Sequence, residues 1–263
     1  MDTLRSLWLY RGFILGCVKR EFQSKYQNSL LGAAWNVLNP LAMILVYTVV
    51  FAEVMRARLP GIDNKFSYSI YLCAGVLTWG FFTEGVNRGI SMFVDNANLL
   101  KKISFPRITL PVVVVSSTTL NFSIVATLFI GFLVASQSFP GWVVLGALPV
   151  LFLQTVLALG LGLVLGILNV FFRDVGQFFG IFMQFWFWLT PIVYPAQVLP
   201  ESLRSWLSWN PMTPIVAAYQ QVFVAQDWPV WETLTFPLLL AVGFCLLGIR
   251  LFRQHVGEMV DEL

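Results

Sequence analysis

The chain has 263 residues, room for one or two domains, yet only 11% are charged while 58% are hydrophobic, and the mean hydropathy is +0.77. Soluble domains carry about a quarter charged residues, so a water-soluble globule is excluded and a polytopic membrane protein is implied. The net charge of +3 is too small to argue for nucleic acid, and three scattered cysteines with one histidine, His255, argue against a zinc site or a His-based triad.

Residues Leu4 to Tyr26 place Leu4, Leu7, Trp8, Leu15, Val18, Phe22 and Tyr26 at mostly helical spacing, with Arg5, Lys19, Arg20 and Lys25 elsewhere. That pattern predicts a basic amphipathic helix on the inner membrane surface, although Arg11 falls on the apolar stripe. Ile14-Leu15-Gly16-Cys17 is similar to a lipoprotein cleavage site, but Arg11 interrupts the apolar run that such a signal requires.

Crossing a ~30 Å hydrocarbon core takes about 20 apolar residues. Six runs qualify as predicted spans: Ala33 to Ala52, Phe66 to Val86 with Glu84 near its end, Ile108 to Ala135, Trp142 to Phe171, Val175 to Tyr194 and Leu234 to Leu251. The third and fourth form a hairpin, because Ser136-Gln137-Ser138-Phe139-Pro140-Gly141 supplies a turn. With loops assigned alternately to the two sides, one side holds 12 Lys or Arg, and the other holds only Arg56, Arg58, Lys65 and Arg204. The positive-inside rule then puts both termini in the cytoplasm.

Two stretches do not read as spans. Asp95 to Arg107 mixes apolar and basic residues between spans, which suits a short docking helix or a headgroup anchor. Pro195 to Pro229 has five prolines among Trp206, Trp209, Tyr219 and Trp228, which predicts short helices, re-entrant or lying at the outer face. Gly162 and Gly166 form a GxxxG pair suited to close helix packing, and Glu84 with Arg88 is spaced for an i, i+4 ion pair.

The chemistry available is limited. No lysine sits in the Gly pattern of a nucleotide-binding P-loop, and Glu53, Glu84 and Asp174 lie near span ends rather than mid-membrane, so a coupling-ion carrier is a weak reading. Energy is expected from a partner. Tyr47, Trp79, Phe82, Phe185, Trp186, Trp188 and Tyr194 are dense enough to line a glycan path by stacking on sugar C–H faces, against the plainer reading of lipid-facing or interfacial aromatics.

Lys25-Tyr26-Gln27-Asn28-Ser29-Leu30-Leu31-Gly32, Trp35, Leu38-Asn39-Pro40-Leu41 and Val46-Tyr47-Thr48-Val49-Val50-Phe51 resemble the permease subunits of type-2 ABC exporters for cell-surface polysaccharides. The resemblance continues through Asn96-Ala97-Asn98-Leu99, Phe105-Pro106-Arg107, Leu168 to Val175, Thr190 to Pro195 and Trp209 to Pro214, and so covers most of the chain. It implies an all-α polytopic protein of the bacterial inner membrane, with a surface helix over 1–32, a six-helix domain over 33–263 and outer-face helices over 195–229. It also implies a homodimer carrying two copies of a separate ATPase, which uses the ATP and Mg, while this chain binds no cofactor.

By the same resemblance, the basic N-terminal helix and the loop with Asn96, Asn98, Leu99, Lys101, Lys102, Phe105 and Arg107 contact the ATPase, and Leu31-Gly32 forms the bend between surface helix and first span. Arg5, Arg11, Lys19, Arg20 and Lys25 are candidate charge-assisted donors to a lipid pyrophosphate, against a purely topological role. The expected cargo is a lipid-linked O-antigen on undecaprenyl pyrophosphate, with capsule and teichoic acid as alternatives. A membrane-embedded glycosyltransferase would need clustered carboxylates, and no DxD-like group is present. A carrier or channel working alone is the other rival.

Overall fold

The computed structural model describes residues 8–24, 34–55, 59, 64–102 and 109–262; Arg5, Lys25, Leu31, Gly32, Phe105 and Arg107 lie outside them. Every described regular element is helical. Helix α1 (Arg11–Ser24) precedes α2 (Trp35–Tyr47), which runs on as a π-helical turn over Thr48–Val54. Next come α3 (Ser67–Asp95), the short α4 (Ala97–Lys102) and α5 (Thr109–Ala135). A turn with Gln137 and Gly141 at positive φ leads into the 3-10 segment Gly141–Gly146 and α6 (Ala147–Phe171). The chain continues through α7 (Asp174–Trp188), α8 (Glu201–Leu207), α9 (Met212–Gln220), α10 (Thr235–His255) and α11 (Glu258–Glu262).

Four described helices, rather than the six expected, are both long and apolar enough to cross a membrane: Val37–Val54, Thr109–Ala135, Gly141–Phe171 and Trp231–His255. The two exceptions have different causes. Helix α3 has 29 residues, about 43 Å at 1.5 Å per residue, but Glu84, Arg88, Asp95 and several Ser and Thr lower its hydropathy. Helix α7 has only 15 residues, about 22 Å and short of a ~30 Å core. The expected span from Val175 to Tyr194 runs through Pro191, and a proline disfavours helix in the residue before it, so α7 ends early.

The core forms where α3 and α6 cross. A Cβ placed on Gly89 would lie 2.7 Å from the Cα of Gly162, so only paired glycines allow the backbones to come this close. Phe82, Ile70, Leu157 and Val150 fill the same interface, and α10 packs along the other side of α6. Helix α9 enters this core from the Pro-rich stretch, with Met212, Ile215 and Val216 fully buried. Several buried polar side chains are satisfied locally or in pairs, while Ser67 Oγ, Thr83 Oγ1, Arg88 Nη1, Thr118 Oγ1 and Thr213 Oγ1 are buried without a hydrogen-bond partner among the described residues. Thr78 and Thr155 donate to carbonyls four residues back, at 2.6 and 2.7 Å. Gln154 donates to the Thr78 carbonyl at 2.9 Å and accepts from Tyr219 Oη at 3.1 Å. Without water, each such group needs a protein partner.

Candidate functional site

The bundle has two chemically different ends. At one, Tyr68 and Tyr71 on the first turn of α3 donate to the carbonyls of Val193, Pro191 and Tyr194 at 2.6, 3.1 and 3.0 Å. Asn210 organises the neighbouring segment: its Oδ1 accepts from Trp186 Nε1 at 2.8 Å and from the Met212 amide at 3.0 Å, while its Nδ2 donates to Thr190 Oγ1 at 3.0 Å. One asparagine therefore orients Trp186 and caps α9. Around it opens a cavity of about 570 Å³, lined by Phe182, Trp186, Leu189, Tyr194, Leu199, Trp206, Leu207, Trp209, Asn210 and Pro211.

The seven aromatic candidates separate into distinct places. Trp79 and Phe82 are buried, with ring centroids 5.8 and 5.5 Å from Trp186, so they pack the interior of the bundle. Trp186 and Tyr194 line the cavity, and Tyr194 Oη donates to the Trp188 carbonyl at 2.7 Å. Phe185 and Trp188 are exposed on α7. Tyr47 belongs to a second row through Phe51, Tyr68 and Tyr71, with successive centroid separations of 6.3, 5.1 and 6.1 Å. The cavity also draws on Phe182, Trp206 and Trp209, which aromatic density along the chain does not group with Trp186; the Trp-Asn-Pro motif at 209–211 is the signal that links them.

At the opposite end, α3, α4, α5, α6 and α11 meet in a second apolar cluster of Met92, Phe93, Leu100, Leu110, Val114, Ile167, Val170 and Met259. Asn96 joins α3 to α4, its Nδ2 donating to the Met92 carbonyl at 2.8 Å. Asn98 and Lys101 are exposed and Leu99 is half-buried, while Leu100, absent from the candidate set, anchors α4 in the cluster. Phe93 and Leu100 are seven residues apart, which keeps both on one face across the helix break. Arg11, Lys19 and Arg20 are exposed on the surface helix. The Arg11 guanidinium lies 4.5 Å from the Trp8 ring centroid, and Arg20 Nε donates to the Gly16 carbonyl at 3.4 Å.

Between these ends lies a polar cluster read only in part from spacing. Glu21 Oε2 of α1 accepts from Arg88 Nη2 of α3 at 2.6 Å and from Ser117 Oγ of α5 at 2.5 Å. Glu84 Oε1 accepts from Asn121 Nδ2 at 2.7 Å and sits 3.7 Å from Arg88 Nη1, so the expected i, i+4 contact is the longer of Arg88's two ion pairs. The three charged side chains are each about one-third exposed, at 28, 36 and 34%. Among the described residues no three His, Cys, Asp or Glu side chains converge as a metal would require. The arrangement offers aromatic faces that can stack on planar or C–H-rich groups at one end and an apolar cluster beneath a short exposed helix at the other.

Comparison with known proteins agrees along the whole chain. The chain is 34% identical to the O-antigen export system permease protein RfbA of Myxococcus xanthus over 262 residues, covering 99% of this chain and 98% of that protein. It is 27% identical to an O-antigen export system permease protein RfbA of Klebsiella pneumoniae over 238 residues, 89% of this chain and 88% of the relative. The polysialic acid transport protein KpsM of Escherichia coli is 20% identical over 244 residues, 92% and 93% of the two chains. The family described as ABC-2 type transporter matches residues 13–224, and the chain belongs to that family.

Proposed function

We propose that this chain is the membrane subunit of an ATP-driven exporter that moves a lipid-linked polysaccharide, an O-antigen on undecaprenyl pyrophosphate, across the inner membrane of a bacterium. The carrying observation is the 34% identity, over 99% of the chain, to a permease named for O-antigen export. Polysialic acid transport, named for a relative at 20% identity, supports a capsular polymer as the second reading.

In this reading six segments span the membrane. Helix α3 crosses by its length, with its charged Glu84 and Arg88 bonded to Asn121 and Glu21 inside the bundle, and α7 crosses with the Leu189–Tyr194 turn completing its depth. The excess of basic residues on one set of loops puts both termini in the cytoplasm. Two copies enclose the path, and each binds one ATPase subunit that uses ATP and Mg. Asn96, Asn98, Leu99, Lys101, Lys102, Phe105 and Arg107 receive the ATPase's stroke; exposure of Asn98 and Lys101 is compatible with that contact. Arg5, Arg11, Lys19, Arg20 and Lys25 meet the lipid pyrophosphate, and Leu31-Gly32 forms the bend into the first span. Trp186, Tyr194, Phe185 and Trp188, with Tyr47, Trp79 and Phe82 behind or beside them, give the glycan an aromatic route by weak, repeated stacking.

The direct test is removal of the chain from its host. Glycan of the exported type, still on its lipid, should accumulate on the cytoplasmic face and disappear when the chain is restored; its composition separates O-antigen from capsule. Undisturbed surface glycan in the deletion strain would contradict the proposal.

A further inference from the structure

The charged side chains of the surface helix are not equivalent. Arg11 and Arg20 engage Trp8 and the Gly16 carbonyl, within their own segment. Glu21 instead leaves α1 and bonds both Arg88 of α3 and Ser117 of α5, at 2.6 and 2.5 Å. Its partners lie 67 and 96 residues away in sequence, so the contact ties together parts of the chain that no local geometry holds. Ile14 is a buried apolar side chain of the same helix, whereas Leu15, and Trp8 and Leu9 just before the helix, are largely exposed.

Arg88 is placed to pass a force onward. It lies seven residues before Asp95, the last residue of α3, about 10 Å along the axis at 1.5 Å per residue. Asn96 then joins α3 to α4, the candidate docking helix. A second contact, Asn121 to Glu84 at 2.7 Å, fixes α3 to α5 one turn further along. With Glu21 and Glu84 on either side, Arg88 is the cation between two carboxylates carried by different helices. Nη2 hydrogen-bonds Glu21, while Nη1 pairs with Glu84 by charge alone at 3.7 Å; the planar guanidinium faces both carboxylates, which a lysine ammonium does less well.

We infer that the Glu21–Arg88 pair is a clamp that makes the surface helix move with α3, so that a push on α4 reaches the membrane-surface helix as well as the span. Glu21 and Arg88 are positioning residues. This inference rests on the transport reading for the source of the push, while the tether itself can be judged without any cargo.

The experiment uses the full chain assembled with its ATPase partner in lipid nanodiscs and in proteoliposomes loaded with the lipid-linked glycan. Glu21→Gln and Arg88→Gln are compared with Gln23→Ala, an exposed neighbour on the same helix. Amide hydrogen exchange over residues 11–24 should rise at least tenfold in the two clamp variants and stay unchanged in the control. Glycan moved per ATP hydrolysed should fall at least fivefold, with ATP hydrolysis within twofold of wild type, and Arg88→Lys should lie between. Unchanged exchange in both clamp variants would overturn the tether. Lost protection with wild-type export per ATP would overturn its role in transmission. Failure of the transport reading would show in the wild-type complex, as no glycan moved, and the exchange rates would still decide whether the clamp exists.

Discussion

The two ends of the bundle are held by different forces. At the aromatic end, the Asn210 side chain alone makes four hydrogen bonds, Tyr71 bridges two carbonyls, and α9 is buried in the core. At the opposite end, the short helices α4 and α11 pack through Leu100 and Met259, while α1 reaches the bundle through Ile14 and, between the two ends, through Glu21. A segment with many buried contacts opens only with the whole fold, whereas one with few opens locally.

The largest effect is expected where both ends depend on the same crossing. Gly89→Leu drives a side chain into the Gly162 backbone, which cannot rotate away. Overpacking of this kind typically costs about 1–3 kcal/mol and more where backbone blocks it. Monodisperse protein recovered in detergent should drop at least tenfold.

Asn210→Ala tests the aromatic end. It strands the Trp186 indole N–H and the Met212 amide. The cost is below the about 1–3 kcal/mol of a fully buried unsatisfied group, because both hydrogen bonds are only part-buried, beside the cavity that Trp186 and Asn210 line. The melting temperature in detergent should fall, and export should fall with it. A variant that melts like wild type would mean this end is not held by Asn210.

Met259→Ala tests the basic end. The side chain is 3% exposed and packs in the cluster that holds Leu100. Because the cluster is small and peripheral, a cost of about 1–2 kcal/mol is expected, below the usual core range of 2–5. Hydrogen exchange should rise in α4 while the aromatic end keeps its protection. A uniform loss across the protein would erase the contrast between the ends.

The smallest effect belongs to Lys65→Ala. The Lys65–Glu53 pair, at 2.5 Å, is more than half exposed on both sides. Such pairs contribute about 0–1 kcal/mol, so no change beyond about 0.5 kcal/mol is expected in thermal unfolding.

Much of the scaffold could be read from hydrophobic runs, because a bilayer demands long uncharged helices and the Ser136 to Gly141 turn interrupts them visibly. The Pro-rich stretch forms short helices for the same local reasons. What local reading missed was non-local or compositional. Apolar counting carried the fifth span through Pro191, although α7 ends at Trp188. Aromatic density could not separate Trp79 and Phe82, which pack inward, from Phe185 and Trp188, which are exposed. Glu21 gave no signal in its own helix, since its meaning lies in Arg88 and Ser117, and Leu100 gained its place only when Met259 folded back against it.

On the proposed transport function, this subunit is a gate driven from outside. Proteoliposomes containing lipid-linked glycan on the outer face test it most directly, with this chain alone or assembled with its ATPase. Glycan should reach the lumen only when both the ATPase and ATP are present; glycan accumulating inside liposomes that hold this chain alone, against its gradient, would contradict the account.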